Sequence, residues 1–289
     1  MRIVSLLPSA TEILFAIGAG DDIVGVTHEC DFPDDALGLP KLTAATQPEA
    51  ATAAEIDRHV RESVHAGSSL YLLDSALLER LAPDLIVTQE LCAVCAVSYD
   101  IVAIATKRLR SDPRVVSLEP LCLDDVFGTM LFLGDVTGHP DEARRVVAGL
   151  EARVAAIRPA SRRRKTLVLE WTDPPMSAGH WIPQLVEIAG GIPILANPGE
   201  NSRRLEWSAI AAADPAAAIV SPCGFDLERT KREVAALDRI AQWRSLRARK
   251  DGRVLAMDGN AYLSRPGPRL VDAAEIMARW YTSGAEYAG

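Results

Sequence analysis

The chain alternates short apolar segments with helical stretches from end to end, and the same order of elements occurs twice. RIVSLL (2–7) leads through a proline-containing loop and a helix into IVGV (23–26). KTLVLEW (165–171) leads in the same way through Pro174, Pro175 and a helix into IPILA (192–196). Such alternation predicts parallel sheets covered by helices. We therefore expect an α/β fold with two Rossmann-like lobes whose sheets are mainly parallel.

A second pair of segments also indicates two similar lobes. LAPDLIVTQELC (81–92) and AADPAAAIVSPC (212–223) each contain a helix end, a proline, an apolar strand and a cysteine. Between the two halves lies PDEARRVVAGLEARVAAIR (140–158), whose apolar residues recur at helical spacing. We expect an N-terminal α/β lobe over 1–138, a connecting backbone helix over 139–160 and a C-terminal α/β lobe over 161–289. Loops after strand ends line ligand crevices in such sheets, so the loops of both lobes are expected to face a cleft.

Local signals mark the ends of one helix in each half. Ser9 and Glu12 have the spacing of a capping box, which predicts a helix that begins after Ser9 and ends at Gly18. The corresponding helix of the second half is expected from Trp181 to Ala189, with Gly190 as its stop. Each of these helices follows a loop at a strand end.

The charge of the chain argues against nucleic acid as a partner, because phosphate binding needs a basic surface. Lys and Arg number 31 against 39 Asp and Glu, a net charge of −8. No segment approaches the roughly 18 consecutive apolar residues that cross a bilayer, so we expect no membrane insertion. The first residues lack the apolar stretch of a secretory signal. This predicts a cytoplasmic protein as the sequence stands, and a periplasmic or extracellular one if a leader was removed.

The cysteines each come shortly after a predicted strand: Cys30, Cys92, Cys95, Cys122 and Cys223. Cys92 and Cys95 lie where a strand gives way to a helix, so helix-end amides are expected to lower the thiol pKa. Three interpretations stay open. The thiols bind a metal ion together with His28, Cys30 or Cys223, they form a redox dithiol, or they pack in the core and contact a ligand.

Two of the five histidines follow strand ends. His28 lies in GVTHECDFP and His180 in PPMSAGHW, so each can face a ligand in the cleft or ligate a metal ion. His59, His65 and His139 lie on or next to polar helices and are expected at the surface.

Aromatic residues make up only 5% of the chain, yet several fall in predicted cleft loops. These are Phe32, Trp171, Trp181, Trp207, Phe225 and Tyr262. Broad apolar rings beside a few polar groups suit a large, flat and partly apolar ligand. Trp243 and Trp280 lie in predicted helices and are expected in the core.

Local catalytic signatures are missing from the sequence. It contains no GxSxG elbow, no Walker A sequence, no HExxH and no GxGxxG after the first strand. This favours a binding protein over an enzyme, although catalytic groups can also come from separate loops.

Five segments carry a resemblance to a known family: VSLLPSATEILFAIGAGDDIVGVTHECDFP, APDLIVTQ, DPPMSAGHWIPQLVEIAGG, LEWSAIAAADP and SRPGPRLVDAAEIMA. In this order and spacing they resemble the vitamin B12 substrate-binding proteins that serve ABC importers, a class whose two lobes are bridged by one backbone helix. The resemblance covers essentially the whole chain.

The resemblance implies that the ligand is a corrinoid, cobalamin, held between the lobes mostly by aromatic and backbone contacts. By position, it implies that six residues lie in or beside the site: Phe32, Pro174, Pro175, Met176, Trp207 and Arg265. Pro8, Ser9 and Glu90 are implied neighbours. It also implies an ABC transporter permease as a partner. The DxHxxG signature of B12-dependent enzymes is missing, which agrees with capture of the whole molecule without catalysis.

Two features depart from the family pattern. The importers' binding proteins carry an export leader, which this sequence does not show, and LCAVCAVS with Cys30 and Cys223 resembles a leaderless subgroup. Soft thiolates favour zinc, iron–sulfur clusters or copper(I), and a thiolate can contact corrinoid cobalt or haem iron. Two alternatives therefore stay open. One is a metal or metal-cofactor protein that uses Cys92 and Cys95 with Cys30, Cys223 or His28, and the other is a thiol-dependent corrinoid-processing enzyme.

Overall fold

The apolar segments of the sequence form the strands of two mainly parallel sheets in the structure, which is a computed structural model. It describes residues 1–46, 51–65, 70–89, 102, 106, 109, 111–159, 163–283 and 287–288. The chain divides into an N-terminal unit, Met1–Glu119 with Phe127–Ala148, and a C-terminal unit, Pro120–Val126 with Gly149–Gly289.

In the first half of the described chain, strands alternate with α-helices. The strands are β1 (Ile3–Ser5), β2 (Ile23–Val26), β3 (Thr43–Ala45), β4 (Tyr71–Leu73), β5 (Leu85–Thr88) and β6 (Arg114–Ser117). The helices are α1 (Pro8–Ala16), α2 (Ala53–His65), α3 (Ser75–Leu81), α4 (Leu123–Thr137) and α5 (Pro140–Ala156). A parallel sheet has the strand order β2, β1, β5, β6, and β3 pairs with β4 in antiparallel fashion.

The central strands of this sheet are buried along their whole length. All residues of β1 and β5 are buried, as is typical of parallel strands covered on both faces. Val4 of β1 and Ile86 of β5 belong to one apolar cluster with Leu42 and Leu78. Because β2 pairs with one edge of β1 and β5 with the other, the strand order reverses at β1. A crevice is expected at the carboxyl ends of β1 and β5.

The second half of the described chain forms a second sheet with its own helices. The strands are β7 (Arg164–Thr172), β8 (Pro175–Ser177), β9 (Gly191–Pro193), β10 (Ala217–Val220), β11 (Val254–Met257) and β12 (Tyr287–Ala288). The helices are α6 (Ile182–Ala189), α7 (Trp207–Ala213), α8 (Leu227–Leu237), α9 (Ala241–Ser245), α10 (Arg247–Lys250) and α11 (Arg269–Ser283), with a π-helical turn at Gly259–Leu263.

The second sheet repeats the plan of the first. β7 pairs in parallel with β9 and β10, as β1 does with β2 and β5. β11 and β12 continue the sheet beyond β10, and β8 is an antiparallel addition to β7. Trp243 and Trp280 are buried, as expected, with Trp243 in one cluster with Leu167, Ile210 and Val220.

The first helix begins earlier than its sequence signal predicts. α1 begins at Pro8, so Ser9 lies in its first turn, and the N-cap is Leu7, which makes no side-chain capping bond. The expected capping box is therefore wrong, because proline suits the first helical position and starts the helix before Ser9. The glycine stop of α6 is confirmed, since Gly190 adopts a φ of 100° and its amide donates to the carbonyl of Glu187.

The fold prediction is confirmed. Both units are α/β with mainly parallel sheets, and α5 is a continuous helix that passes from the N-terminal into the C-terminal unit. The lobe boundaries drawn at 138 and 161 stay a prediction. Within the described residues, none of the helices combines the length and the apolar character that crossing a membrane requires.

Candidate functional site

Three loops at the carboxyl ends of β7, β10 and β11 meet in the C-terminal unit. The carbonyl of Phe225 accepts hydrogen bonds from the amides of Gly259 (2.9 Å) and Asn260 (3.1 Å). The amide of Cys223 donates to the carbonyl of Glu170 at 3.1 Å. A Cβ atom at Gly259 would lie 2.1 Å from the carbonyl oxygen of Pro222, so glycine is required for this close approach. The loops thus form one surface at the end of the sheet where ligands bind in such folds.

A stack of three side chains lies on this surface. The rings of Trp171 and Phe225 are 5.2 Å apart in an edge-to-face arrangement, and the guanidinium carbon of Arg229 lies 3.6 Å from the centre of the Phe225 ring. The indole NH of Trp171 donates to the carbonyl of Asp173 at 3.1 Å. Phe225 is buried and Trp171 is half-buried. The cation–π contact of Arg229 fixes the ring of Phe225, and the edge-to-face contact with this ring orients Trp171 in turn.

Charges on α8 border the stack. Burial lowers the pKa of the Arg229 guanidinium, and the carboxylates of Glu233 and Asp226 oppose this shift. Glu233 also accepts a hydrogen bond of 2.5 Å from the hydroxyl of Thr172 at the end of β7. Helix α8 is thereby tied to the strand that carries Trp171.

The β7–β8 hairpin places the proline and methionine residues implied by the resemblance beside Trp171. In the antiparallel register Trp171 lies opposite Met176, and Thr172 lies opposite Pro175. Pro174 forms the turn between them. Met176 and Pro174 are half-buried and Pro175 is buried, so the hairpin adds apolar surface next to the indole.

The turn after β11 holds Tyr262 and leads to Arg265. The carboxylate of Asp258 accepts from the amide of Ala261 at 2.7 Å and caps this turn. Arg265 is only 4% exposed and donates to the side-chain oxygen of Asn260 at 2.8 Å. Trp181 is also buried and donates its indole NH to the carbonyl of Leu263 at 2.9 Å. Arg265 and Trp181 support the loop from inside, whereas Tyr262 is half-buried.

Two other predicted site residues of this unit have structural partners. His180 adopts a φ of 53°, and its Nε2 lies 3.0 Å from the side-chain oxygen of Asn201. Burial lowers the pKa of His180, against a smaller opposing effect of the Asn201 hydrogen bond, so the ring is neutral at neutral pH. Trp207 is half-buried at the start of α7 and packs against the core, 6.3 Å from the ring of Trp243.

In the N-terminal unit, Cys30 lies beneath the loop that follows β2. Its Sγ is within hydrogen-bond distance of the hydroxyls of Thr11 (3.2 Å) and Thr27 (3.1 Å), and the residue is 1% exposed. Burial raises the pKa of this thiol, with smaller opposing effects from the two threonines and Lys41. A neutral, buried thiol of this kind is a poor metal ligand and a poor nucleophile.

The imidazole of His28 lies in the same loop and is half-buried. Its Nδ1 is 2.7 Å from the hydroxyl of Thr43, and its ring centre is 5.8 Å from that of Tyr71. Burial lowers the pKa of His28, and the positive charge of Lys41 lowers it further. Phe32, four residues on, is 43% exposed.

The remaining predicted residues fall in three groups. Pro8 and Ser9 form the first turn of α1, half-buried and buried respectively. Cys223 is half-buried in the loop after β10, while Cys122 lies just before α4, where its amide donates to Asp125. Glu90, Cys92 and Cys95 lie outside the described residues. Among the residues that are described, no three His, Cys, Asp or Glu side chains are grouped so that they can hold a metal ion.

Arg229 and Thr43 were not predicted from the sequence, although each orients a predicted residue. One signal was available for Arg229: Asp226 and Arg229 have N-cap spacing, and the carboxylate of Asp226 accepts from the amide of Arg229 at 2.7 Å. This places Arg229 in the first turn of a helix that begins next to Phe225. Thr43 has no local signal, because β3 comes close to the β2 loop only in the folded chain.

The sequence profile of the periplasmic binding protein family matches residues 3–261. The chain belongs to this family. The resemblance to the vitamin B12 substrate-binding proteins is thereby confirmed at the level of the family. Periplasmic binding proteins of this family bind small molecules for ABC importers and in general are not enzymes.

Individual relatives agree with this assignment. A vitamin B12-binding protein of Vibrio cholerae serotype O1 is 22% identical over 287 residues, covering 95% of this chain and 86% of the relative. The periplasmic heme-binding protein RhuT from Roseiflexus sp. RS-1 has a similar structure, with a TM-score of 0.72, 24% identity and 96% of each chain covered. The periplasmic vitamin B12-binding protein BtuF of Vibrio cholerae has a TM-score of 0.64 and 20% identity, covering 97% of this chain and 96% of that one. The structural similarities establish that the fold is shared.

Proposed function

We propose that this periplasmic binding protein captures a corrinoid without transforming it. The observation that carries the proposal is the stack of Trp171, Phe225 and Arg229 on the converging loops of the C-terminal unit. A rigid aromatic surface flanked by Met176 and the Pro174 turn suits one face of a wide, flat ring system.

The charges near this surface favour a corrinoid over haem. The corrin ring carries mostly neutral amide side chains, whereas haem carries two carboxylates that need cationic or strong hydrogen-bond partners. Both nearby guanidinium groups already have partners within the protein, since that of Arg229 is stacked on Phe225 and that of Arg265 donates to Asn260. Carboxylates of haem would have to compete with these contacts. Haem remains the second candidate because the proteins of similar structure include the heme-binding protein RhuT.

The proposal includes delivery to the permease of an ABC importer and a periplasmic or extracellular location. Both are supported by membership of the periplasmic binding protein family, whose members serve such importers. Co-purification of the corrinoid-loaded protein with a permease complex from the same source tests the partner.

Titration calorimetry and absorption spectroscopy with cyanocobalamin, hydroxocobalamin and haem test the ligand. We expect a saturable heat with one equivalent of either cobalamin and a weaker response with haem. If haem binds more tightly than either cobalamin, the ligand is haem and not a corrinoid. The absence of a saturable response with all three would overturn the proposed function.

Truncation of Trp171 tests the surface itself. We expect Trp171→Ala to weaken cyanocobalamin binding by about tenfold or more, because stacking and buried ring area are lost, and a tenfold change corresponds to about 1.4 kcal/mol. Phe132→Ala is the matched control, since Phe132 is a 39% exposed aromatic on α4 in the N-terminal unit. Equal losses in the two variants would contradict the assignment of the surface.

A further inference from the structure

Two short segments of the C-terminal unit concentrate positive charge in an acidic chain. Residues 158–165 contain five Lys and Arg and no Asp or Glu, and residues 239–253 contain six Lys and Arg with one Asp. The chain as a whole has a net charge of −8. If segments of this kind meet in the folded protein, they create a local positive field that attracts anionic partners.

The structure brings the two segments together at the amino ends of β7, β10 and β11. The amide of Ala216, just before β10, donates to the carbonyl of Lys165 at 2.8 Å, and the amide of Ala218 donates to the carbonyl of Arg253 at 2.9 Å. Helix α10 directly precedes β11 and lies at the same end of the sheet. We call this surface the basic edge and define it by residues 163–165 and 247–253.

The cations of the basic edge exceed its anions. Lys165 and Lys250 are exposed and Arg253 is half-buried, and within the described part of the chain none of these three has an ion-pair partner. The two arginines of α10 form ion pairs at 3.0 and 2.7 Å with aspartates outside the edge. Asp251 is the one carboxylate of the edge itself. The basic edge therefore keeps a positive charge that the protein does not neutralise.

An apolar side chain lies among these charges. Ile192 on β9 is 41% exposed and is the partner of Lys165 in the parallel register. The guanidinium of Arg163 donates to the carbonyl of Gly191 at 2.6 Å, on the same strand. An anionic lipid surface attracts cations and also takes up an apolar side chain beneath the headgroups. A nucleic acid backbone uses the cations alone, so the position of Ile192 favours lipid.

A surface cavity extends the basic edge towards the end of α11. It has a volume of about 340 Å³ and is lined by Ile157, Arg158, Glu275, Ala278, Arg279 and Thr282. Tyr281 connects this cavity with β7, because its hydroxyl lies 2.7 Å from that of Thr166. The carboxylate of Glu275 is already paired with Arg153 at 2.9 Å. The two arginines of the lining are exposed and leave the cavity positive.

We propose that the basic edge of the C-terminal unit binds the anionic headgroups of a phospholipid membrane surface. The inference goes beyond the proposed function, because the basic edge and the Trp171 surface lie at opposite ends of β7. This strand has nine residues, Arg164–Thr172, and at about 3.3 Å per residue it separates the two surfaces by roughly 26 Å. Exposed charges act over about 8 Å at physiological salt, so the local excess of cations decides the attraction and not the net charge of the chain.

Vesicle flotation of the full chain tests the proposal. We expect binding to mixed phosphatidylcholine and phosphatidylglycerol vesicles at about 0.15 M salt and release near 1 M salt, because salt screens the attraction. Vesicles of phosphatidylcholine alone should not bind. Absence of binding to the anionic vesicles at the lower salt concentration, or equal binding to both kinds of vesicle, would overturn the proposal.

Neutralising two lysines of the basic edge tests its location. The double variant Lys165→Gln/Lys250→Gln should bind anionic vesicles about tenfold more weakly or worse. Arg144→Gln/Arg145→Gln is the matched control, because it removes the same charge from two exposed side chains of α5 in the N-terminal unit. Equal losses in the two double variants would show that only the net charge matters and would overturn the assignment.

Two single variants complete the series. Lys250→Gln lies on the surface at the end of α10 and should weaken binding by about threefold, which keeps the test valid if the double variant does not fold. Ile192→Ser leaves the charge unchanged and should weaken vesicle binding several-fold, because less apolar surface enters the lipid. Wild-type binding by both single variants would contradict the proposal.

The outcomes distinguish this proposal from corrinoid capture and from other partners. Cyanocobalamin affinity should be the same with and without anionic vesicles, and a protein that binds vesicles but no cobalamin would overturn only the proposed function. Two results would instead overturn the role of lipid. These are salt-sensitive association between copies of the chain without lipid in sedimentation experiments, and tighter binding to a single-stranded oligonucleotide than to anionic vesicles.

Discussion

At the scale of single residues, the surroundings of a side chain decide its chemistry. His28 and His180 both follow strands, but Thr43 holds Nδ1 of one and Asn201 contacts Nε2 of the other. The same contrast applies to the thiols, because Cys30 is enclosed by two hydroxyls while Cys223 is half-buried in a loop.

The stability of the protein should depend on pH through His180. Burial holds its pKa below the ordinary value of about 6.5 in the folded chain, so the unfolded chain binds more protons once the pH falls below about 6.5. The stabilising contribution of the neutral ring is present above that pH and is lost as the pH falls through the folded-state pKa. We expect His180→Asn, which tolerates the positive φ, to reduce the fall in unfolding free energy between pH 7 and 5.

Chemical denaturation at several pH values measures this effect. Asn201→Ala should have the opposite effect. It removes the hydrogen bond that raises the pKa of His180, so the unfolding free energy should fall more steeply with decreasing pH. Identical slopes in the wild type and His180→Asn would show that the half-buried ring of His180 does not govern stability in this range.

At the scale of elements, N-caps fix the first turns of helices and so the side chains that these turns carry. α8 begins at an N-cap, Asp226, whose carboxylate accepts from the amide of Arg229. The same device begins α3, where Asp74 accepts from the amide of Leu77 at 2.8 Å. Only the first of these caps lies next to the stack on Phe225.

We expect Asp226→Ala and Asp74→Ala each to lower the free energy of unfolding by about 1 kcal/mol, the usual cost of a lost N-cap. Asp226→Ala should also weaken cyanocobalamin binding several-fold, because the first turn of α8 carries Arg229. Denaturant titration and calorimetry of both variants check this. If the two variants bind cyanocobalamin with equal affinity, the N-cap of α8 does not contribute to ligand binding.

At the scale of the whole molecule, α5 continues without a break from one unit into the other. Arg153 in its last turns forms ion pairs with α11. Arg153 donates to both carboxylate oxygens of Glu275, at 3.0 and 2.9 Å, and to Asp272 at 2.5 Å. These hydrogen bonds lower the pKa of Glu275. A bidentate pair with a second carboxylate is the geometry in which a partly exposed ion pair is most effective.

We expect Arg153→Met to lower the free energy of unfolding by about 1 kcal/mol or less, since the groups are partly exposed to solvent. Salt near 1 M should remove most of the difference, because it screens exposed charges. Arg144→Met is the control: its pair with Asp141 has exposures of 61% and 97%, and its loss should not be measurable in urea titrations. If Arg144→Met lowers the free energy of unfolding as much as Arg153→Met does, the ion pairs between Arg153 and α11 add nothing to stability.

Sequence periodicity predicted the positions of strands and helices, but it did not predict the side-chain contacts of the candidate site. Apolar runs marked the positions of β2, β5 and β10, because strands that are buried on both faces consist largely of apolar side chains. The start of α1 was misplaced, since a capping signal at Ser9 competed with a proline one residue earlier. Nothing local pairs Thr43 with His28, so this contact could not be predicted, whereas the N-cap spacing of Asp226 and Arg229 was a local signal for the position of Arg229.

The sequence by itself determined the α/β class, the repeated strand order and the family, because these depend on patterns that each segment carries within itself. The tertiary structure alone decided that Thr43 contacts Nδ1 of His28, that Cys30 is enclosed, and that Trp171 packs edge-to-face against Phe225. Burial and hydrogen bonding between distant segments exist only once the sheets have formed, and these are the quantities that control the reactivity of a side chain.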